Sequence, residues 1–127
     1  PSQSQIDQMA FGMMIAMNSK SCSAVLVKNN SVVGLSQSCV SALKAIKNVY
    51  VDAKEMQDRL GKNNDSLAEV LISDSPIPFC DDVKNIIDGG VGAIIQPGGT
   101  VYDDEFVQYC NDRGVVMIFI GMSHILR

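Results

Sequence analysis

The sequence has little of what most catalytic and metal sites are built from. Its 127 residues include one histidine, His124, and no tryptophan, and its four cysteines are widely spaced with no C-x-x-C pair. A Ser-His-Asp or Cys-His relay would depend on His124 alone, although the segment around it, GMSHILR, is more typical of a strand end. No set of histidine and cysteine has the spacing of a zinc site. We therefore expect no metal, and we expect the cysteines to be reduced thiols.

Charge and hydropathy exclude two classes of partner. The net charge is −4, and the ten lysine and arginine residues are scattered, so no basic stripe is available to neutralise nucleic-acid phosphates. The apolar runs are far shorter than the roughly 18–20 residues of a membrane span, and no signal-peptide pattern is visible. The sequence thus predicts a cytoplasmic protein of one domain, residues 1–127, that binds neither nucleic acid nor membrane.

The first helix is unusual because it is apolar on nearly all sides. Ser4-x-x-Asp7 resembles a capping box that would start it, and the residues that follow are mostly apolar, including Ile6, Met9, Phe11, Met13, Met14 and Met17. Such a helix must be covered on nearly all sides. Two explanations stay open: burial between a sheet and neighbouring helices, or packing against another chain or a missing part of the same chain.

The remaining pattern predicts an α/β fold. Strands at 23–28 and 31–35 flank Asn29-Asn30 as a two-residue hairpin turn. Apolar residues at a spacing of three and four predict one long helix, or two end to end, over 40–60, which Gly61 ends. The later elements are predicted as strands at 70–72, 91–95 and 115–120, a helix capped by Asp81 that runs to Asp88, and a helix that starts at the capping box Thr100-x-x-Asp103 and runs to Arg113. Short strand–helix–strand links imply parallel strands. We expect a mixed sheet with a hairpin at one edge and helices on both faces.

Ligands in such sheets bind beyond the carboxyl ends of the strands. Three loops are expected to meet there: 73–82, 96–101 and 121–127. The first contains the acidic cluster Asp74, Asp81 and Asp82, which would either cap the next helix or accept hydrogen bonds from a ligand. The second contains Gly98-Gly99-Thr100, which would either cradle an anion with free amides or form a tight turn.

The whole chain resembles one enzyme family. The second half, "LISDSPIPFCDDVKNIIDGGVGAIIQPGGTVYDDEFVQYCNDRGVVMIFIGMSHILR", is similar to the C-terminal end of AICAR transformylase, the formyltransferase part of the bifunctional purine-biosynthesis protein that also carries IMP cyclohydrolase. That family has SDAFFPF-R-D after a strand, IQPGGS before the next helix, and a final strand ending near GMRHF. The first half, "KSCSAVLVKNNSVVGLSQSCVSAL", resembles the family's KSNAVVLAKDGQ-VGIGAGQMSRV.

The resemblance implies a fold and an activity. The fold would be the three-layer α/β/α, cytidine-deaminase-like sandwich that occurs twice in that enzyme, and this chain would be the second, C-terminal lobe. The zinc-binding patterns H-x-E and P-C-x-x-C of deaminases are absent. The implied activity is transfer of a formyl group from the co-substrate 10-formyltetrahydrofolate to AICAR, and the catalytic Lys-His pair would lie in the missing lobe.

Several family contacts are replaced in this chain. Cys22 stands for the Asn of KSN, Ala42 for an Arg that holds AICAR, Pro76 for a Phe that contacts the base, and Ser123 for the Arg of GMRHF, while His124 is kept. Each lost hydrogen bond to a charged group would weaken binding by roughly 1.5–3 kcal/mol. The losses leave two hypotheses. The chain is a lobe that works with a partner lobe, or it is a degenerate copy that acts as a scaffold or dimerisation module.

Positions on the folate side are better preserved. Asp81 keeps the family's Asp, Thr100 replaces a Ser, Leu43 stays apolar, and Phe79 is kept beside Cys80. The resemblance therefore implies that Asp81, Leu43, Thr100 and Phe79 bind the substrate, with Asp81 the first residue to test. The implied partner is a second copy of the chain or a lobe with the Lys-His pair, and a small-molecule ligand.

Overall fold

The computed structural model describes residues 2–62 and 65–120. Five strands and four helices lie in these ranges, in the order α1 (Gln3–Met17), β1 (Ala24–Lys28), β2 (Ser31–Ser36), α2 (Ala42–Leu60), β3 (Ala68–Ser73), α3 (Asp81–Asp88), β4 (Val91–Gln96), α4 (Asp103–Asp112) and β5 (Val116–Phe119). Their order and type agree with the predicted α/β pattern. The predicted segment 121–127 lies outside the described residues.

The strands form one mixed sheet in the order β2-β1-β3-β4-β5. Strands β3, β4 and β5 are parallel, whereas β1 is antiparallel to both β2 and β3. The predicted mixed sheet with a hairpin at one edge is therefore confirmed. Because β1 runs against β3, the start of β1 lies at the same edge as the carboxyl ends of β3 and β4, and Ala24 pairs with Ser73.

The hairpin turn follows from two asparagines. Asn29 and Asn30 have φ angles of 53° and 60°, the left-handed pair that a two-residue turn between twisted antiparallel strands requires. Asparagine reaches this region more readily than most other residues with a side chain. The predicted turn is confirmed.

The helices cover both faces of the sheet, which gives the predicted three layers. On one face α2, α3 and α4 enclose a core with buried Leu26, Leu71, Ile94 and Phe106. On the other face α1 packs against Val25, Ile72 and Ile95. Alternate strand residues supply the two cores, as the pleat of a sheet buried on both faces dictates.

Helix α1 begins two residues earlier than predicted. Its N-cap is Ser2, which forms a capping box with Gln5, and the predicted start at Ser4 is wrong. One face packs on the sheet through Met9, Gly12 and Ala16. The sheet covers that face only, since large apolar side chains of α1 remain exposed: Ile6, Met14 and Met17.

The starts of the other helices also differ from the sequence prediction. The helix predicted from residue 40 begins at Ala42 after the N-cap Ser41, and Val40 is exposed. Asp81 is the first residue of α3 rather than its cap, which is Cys80. Helix α4 begins at Asp103 instead of after Thr100. The predicted stop at Gly61 is confirmed, with a left-handed φ of 67°.

No helix within residues 2–62 and 65–120 is long and apolar enough to cross a membrane.

Candidate functional site

The candidate site is the edge of the sheet where β3 and β4 end and β1 begins, called the rim below. It comprises residues 20–23, 36–43, 73–82 and 96–103. Each helix that follows a strand ending at this edge must start there, so α2, α3 and α4 all begin at the rim. Two of the three predicted loops therefore meet at one edge, and the third lies outside the described residues.

A buried carboxylate joins two parts of the rim. The side chain of Asp74 is almost fully buried. Its Oδ1 accepts a hydrogen bond from the backbone N–H of Ser23 at 2.8 Å, and its Oδ2 accepts one from Ser21 Oγ at 2.9 Å. Ser75 Oγ lies 3.1 Å from Oδ1. A buried charge needs this kind of hydrogen bonding, so Asp74 fastens the loop after β3 to the residues before β1.

The acidic cluster expected from the sequence is divided by the fold. Asp74 is buried, whereas the side chain of Asp81 is 98% exposed. Asp82 lies in the first turn of α3 and pairs with Lys47 of α2 at 3.6 Å. Acidic residues in the first turn are favoured by the helix dipole. The exposed side chain of Asp81 is accessible from the solvent side.

Phe79 belongs to an aromatic group at the starts of α3 and α4. Its ring stacks on Phe106 with centroids 5.1 Å apart and meets Tyr109 edge-on at 5.5 Å. The Lys84 ammonium lies 5.0 Å from the Phe79 centroid and 3.9 Å from Asp81 Oδ1. Lys84 thus links Phe79 to Asp81, two of the predicted substrate-binding residues.

Thr100 serves the turn that leads into α4. Its hydroxyl donates to Asp103 Oδ1 at 2.9 Å, and the backbone N–H of Gly99 donates to Asp103 Oδ2 at 2.7 Å. Gly98 and Gly99 both have positive φ angles. An acidic side chain already occupies the Gly99 amide, so the geometry favours the tight turn over an anion cradle.

Leu43 is half-buried in the first turn of α2. Its neighbour Ala42, which replaces an arginine of the resembled family, is buried. Cys22 and Pro76, two other replaced contacts, are half-buried at the rim. Ser123 and His124 lie outside the described residues.

The sequence pattern did not indicate a role for three polar residues of the rim. Ser21 and Ser75 bond to Asp74, and buried Gln96 accepts a hydrogen bond from the backbone N–H of Ile77 at 2.7 Å. Gln96 thus ties the proline-containing loop to the end of β4. A signal was present, since short serine-rich triplets stand at the start of β1 and the end of β3 (SCS and SDS).

A groove of about 230 Å³ lies beside the rim between α2 and α3, lined by Lys47, Tyr50, Val51, Asp82, Asn85 and Ile86. Another groove, of about 240 Å³, lies at the opposite edge near Lys28 and Leu60. Among the described residues, no group of three or more His, Cys, Asp or Glu side chains could hold a metal ion.

Two groups in the helical layer have shifted pKa values. Burial raises the pKa of the Cys110 thiol to about 11. Desolvation, followed by the hydrogen bond with Asp88, raises the pKa of the Tyr109 hydroxyl. Both lie in α4, and Tyr109 packs against Phe79.

The sequence of this chain is similar to that of known purine-biosynthesis proteins. No protein-family model matches the chain. Over 124 residues, 98% of this chain, it is 32% identical to the bifunctional purine biosynthesis protein PurH of Persephonella marina and of Clostridioides difficile. The corresponding protein of Clostridium botulinum (strain Hall) is 34% identical over the same length. The chain spans 22–23% of the length of these relatives.

A solved structure shows the fold. The dCMP deaminase of cyanophage S-TIM5, in its apo form, superposes with a TM-score of 0.53 at 19% identity, over 94% of this chain and 99% of that one. The predicted cytidine-deaminase-like α/β fold is thereby confirmed. At this identity the likeness concerns the fold alone.

Proposed function

We propose that this chain, a domain related to PurH, is the second lobe of an AICAR transformylase unit. In this proposal it helps to transfer a formyl group from 10-formyltetrahydrofolate to AICAR and needs the lobe with the Lys-His pair for catalysis. The observation that carries the proposal is the 32% identity along nearly the whole chain.

All four proposed contacts are at least partly exposed. Asp81 is exposed at the start of α3, while Phe79 and Leu43 are half-buried at the rim. The Phe79 ring is held from behind by Phe106, which leaves its position fixed before a ligand arrives. The Thr100 hydroxyl donates its hydrogen bond to Asp103. Toward a ligand, its oxygen can therefore act only as an acceptor.

The second candidate is a scaffold that has lost AICAR binding. One observation favours it: Ala42 is buried at the position of the family's arginine, so the cationic contact is missing and the space is filled. The scaffold would keep the fold and an interface with a second copy or with the other lobe.

Calorimetric titration separates the two candidates. The purified protein is titrated with AICAR and with a 10-formylfolate analogue, first alone and then mixed with a PurH lobe that carries the Lys-His pair. We expect folate-analogue binding that is strengthened by the second lobe, and formyl transfer in the mixture. If the mixture shows neither folate-analogue binding nor formyl transfer, the scaffold function is supported instead.

Asp81→Ala and Asp82→Ala form a matched pair. Both remove an acid from the first turn of α3, so their effects on the helix dipole are similar. A lost hydrogen bond to a charged group is worth roughly 1.5–3 kcal/mol, or about tenfold or more in affinity. Asp81→Ala should therefore weaken folate-analogue binding at least about tenfold, while Asp82→Ala changes it little. Equal effects would remove Asp81 from the site.

A further inference from the structure

We propose that Cys22 and Cys39 form a reversible disulfide at the rim, a modification site that lies beyond the proposed formyl-transfer role. Both cysteines are free and half-buried in the structure. They belong to two segments that leave the paired strands β1 and β2 at the same edge, where Ala24 faces Ser36.

The backbone holds the two residues close together, at separations that overlap the range of a disulfide. The N–H of Cys39 donates to the carbonyl oxygen of Cys22 at 3.2 Å. Adding the covalent distances on both sides of that bond limits the two Cα atoms to about 7 Å, and disulfides span Cα distances of about 4.4–6.8 Å. A second bond, from Ser38 N–H to Lys20 O at 3.0 Å, holds the two segments side by side.

Each thiol has its own neighbours in the reduced protein. Cys22 Sγ lies 3.2 Å from Ser75 Oγ, and Cys39 Sγ lies 3.0 Å from Ser36 Oγ and 3.7 Å from Asn48 Nδ2. These are weak sulfur hydrogen bonds, so breaking them for the bond to the other sulfur costs little.

The remaining two cysteines belong to the helical layer. Cys110 is fully buried, and its thiol pKa of about 11 keeps it protonated and unreactive. Cys80 caps α3 on the loop after β3, and its backbone carbonyl bonds within α3, to Lys84 N–H.

The oxidant is a small disulfide of the glutathione class. The thiolate of one cysteine attacks it, forming a mixed disulfide and releasing one thiol. The second thiolate then attacks the protein sulfur of the mixed disulfide and releases the other thiol. In total the two cysteines lose two protons and two electrons, and the small disulfide becomes two thiols. The product would tie residues 20–23 to residues 36–39 across the rim.

Peptide mapping tests the pair directly. The folded protein is equilibrated with oxidised and reduced glutathione, quenched with acid, alkylated and digested with trypsin. Cleavage after Lys20, Lys28 and Lys44 places Cys22 on peptide 21–28 and Cys39 on peptide 29–44. We expect these two peptides joined, lighter by about 2 Da than their sum, and separated again by excess reduced glutathione.

Two variants and one condition decide the result. Cys80→Ser keeps both partners and should give the same joined peptides. Cys39→Ser should give none and instead carry glutathione on Cys22. In urea the preference for this pair should fall to the level set by its short loop, and other pairings should appear. Glutathione adducts on both cysteines without joined peptides in the folded wild type would overturn the proposal, as would an unchanged pairing preference in urea.

Discussion

The carboxylate of Asp74 accepts a hydrogen bond from the backbone N–H of Ser23 across a distance of 2.8 Å. In return, the backbone N–H of Asp74 donates to Ser23 O at 3.3 Å. The pair extends the contact between β1 and β3 beyond the last strand residues, Ala24 and Ser73. The rim is therefore organised by a buried acid that supports the loops on which the exposed residues stand.

Replacing Asp74 should destabilise the protein. Asp74→Ala leaves the Ser23 N–H without its side-chain acceptor and removes the bond to Ser21. Since hydrogen bonds to charged groups contribute roughly 1.5–3 kcal/mol each, we expect a loss of about 3 kcal/mol in the free energy of unfolding by urea. Asp52→Ala, at an exposed position of α2, is the control and should change it by less than about 0.5 kcal/mol. An equally small change in the free energy of unfolding for Asp74→Ala would contradict the stabilising role of its hydrogen bonds to Ser21 and Ser23.

Removing the hydroxyl of Ser23, in contrast, should not destabilise the protein. Ser23 Oγ is buried and has no hydrogen-bond partner within residues 2–62 and 65–120. A buried polar atom without a partner is unfavourable by about 1–3 kcal/mol, so Ser23→Ala should leave the stability unchanged or raise it. Thermal unfolding measures the effect. The backbone hydrogen bond from Ser23 to Asp74 is kept in this variant. A clear decrease in the melting temperature would therefore show that the hydroxyl itself has a hydrogen-bond partner.

Gln8 should matter more than its place in an apolar helix suggests. It is almost fully buried, accepts a hydrogen bond from Asn30 N–H at 2.8 Å and donates to Asn30 Oδ1 at 2.7 Å. Gln8→Ala should lower the free energy of unfolding by about 1–3 kcal/mol, because both partners in the hairpin turn lose a bond. Gln3→Ala, an exposed residue of the same helix, should change little in the same urea titration. Equal results for both variants would contradict the bridge from α1 to the turn.

Cys110 should make the stability depend on pH above pH 9. Its pKa is raised from 9.0 to about 11 in the folded state. Between these values the folded protein holds the proton that the unfolded chain has lost. The stability is therefore full below about pH 9 and falls as the pH rises, by at most about 1.4 kcal/mol per pH unit.

Urea unfolding at pH 8 and pH 10.5 measures this dependence. Cys110→Ala lowers the stability at both values because it empties part of the core, but its decrease between the two should be smaller than in the wild type. Cys80→Ala, which changes a half-buried thiol, should keep the wild-type decrease. If the free energy of unfolding fell by the same amount between pH 8 and pH 10.5 in Cys110→Ala as in the wild type, the Cys110 thiol would not be the source of the pH dependence.

The sequence by itself determined the elements whose causes are local. Asn29-Asn30 produced the hairpin turn and Gly61 ended α2, since each depends on neighbours within a few residues. The alternation of strands and helices in the second half predicted parallel strands, because short strand–helix–strand links favour that arrangement. The family resemblance implied the cytidine-deaminase-like fold, which the structural comparison confirmed.

The helix starts were the least predictable part. At α1 and α4 several polar residues near the start could serve as the cap, and the sequence pattern does not specify which of them does. Ser2 therefore caps α1 although Ser4 and Asp7 have a similar pattern, and Thr100 supports a turn although it precedes Asp103 by the spacing of a capping box.

Only the tertiary structure decided which acid of the loop after β3 is buried. Asp74 and Asp81 are chemically equal in the sequence, but the pairing of β1 with β3 brings Ser21 and Ser23 to Asp74 and leaves Asp81 in solvent. The same pairing places Cys22 beside Cys39. Burial and partners of a side chain depend on strands that are distant along the chain, and local sequence does not specify which of them become neighbours.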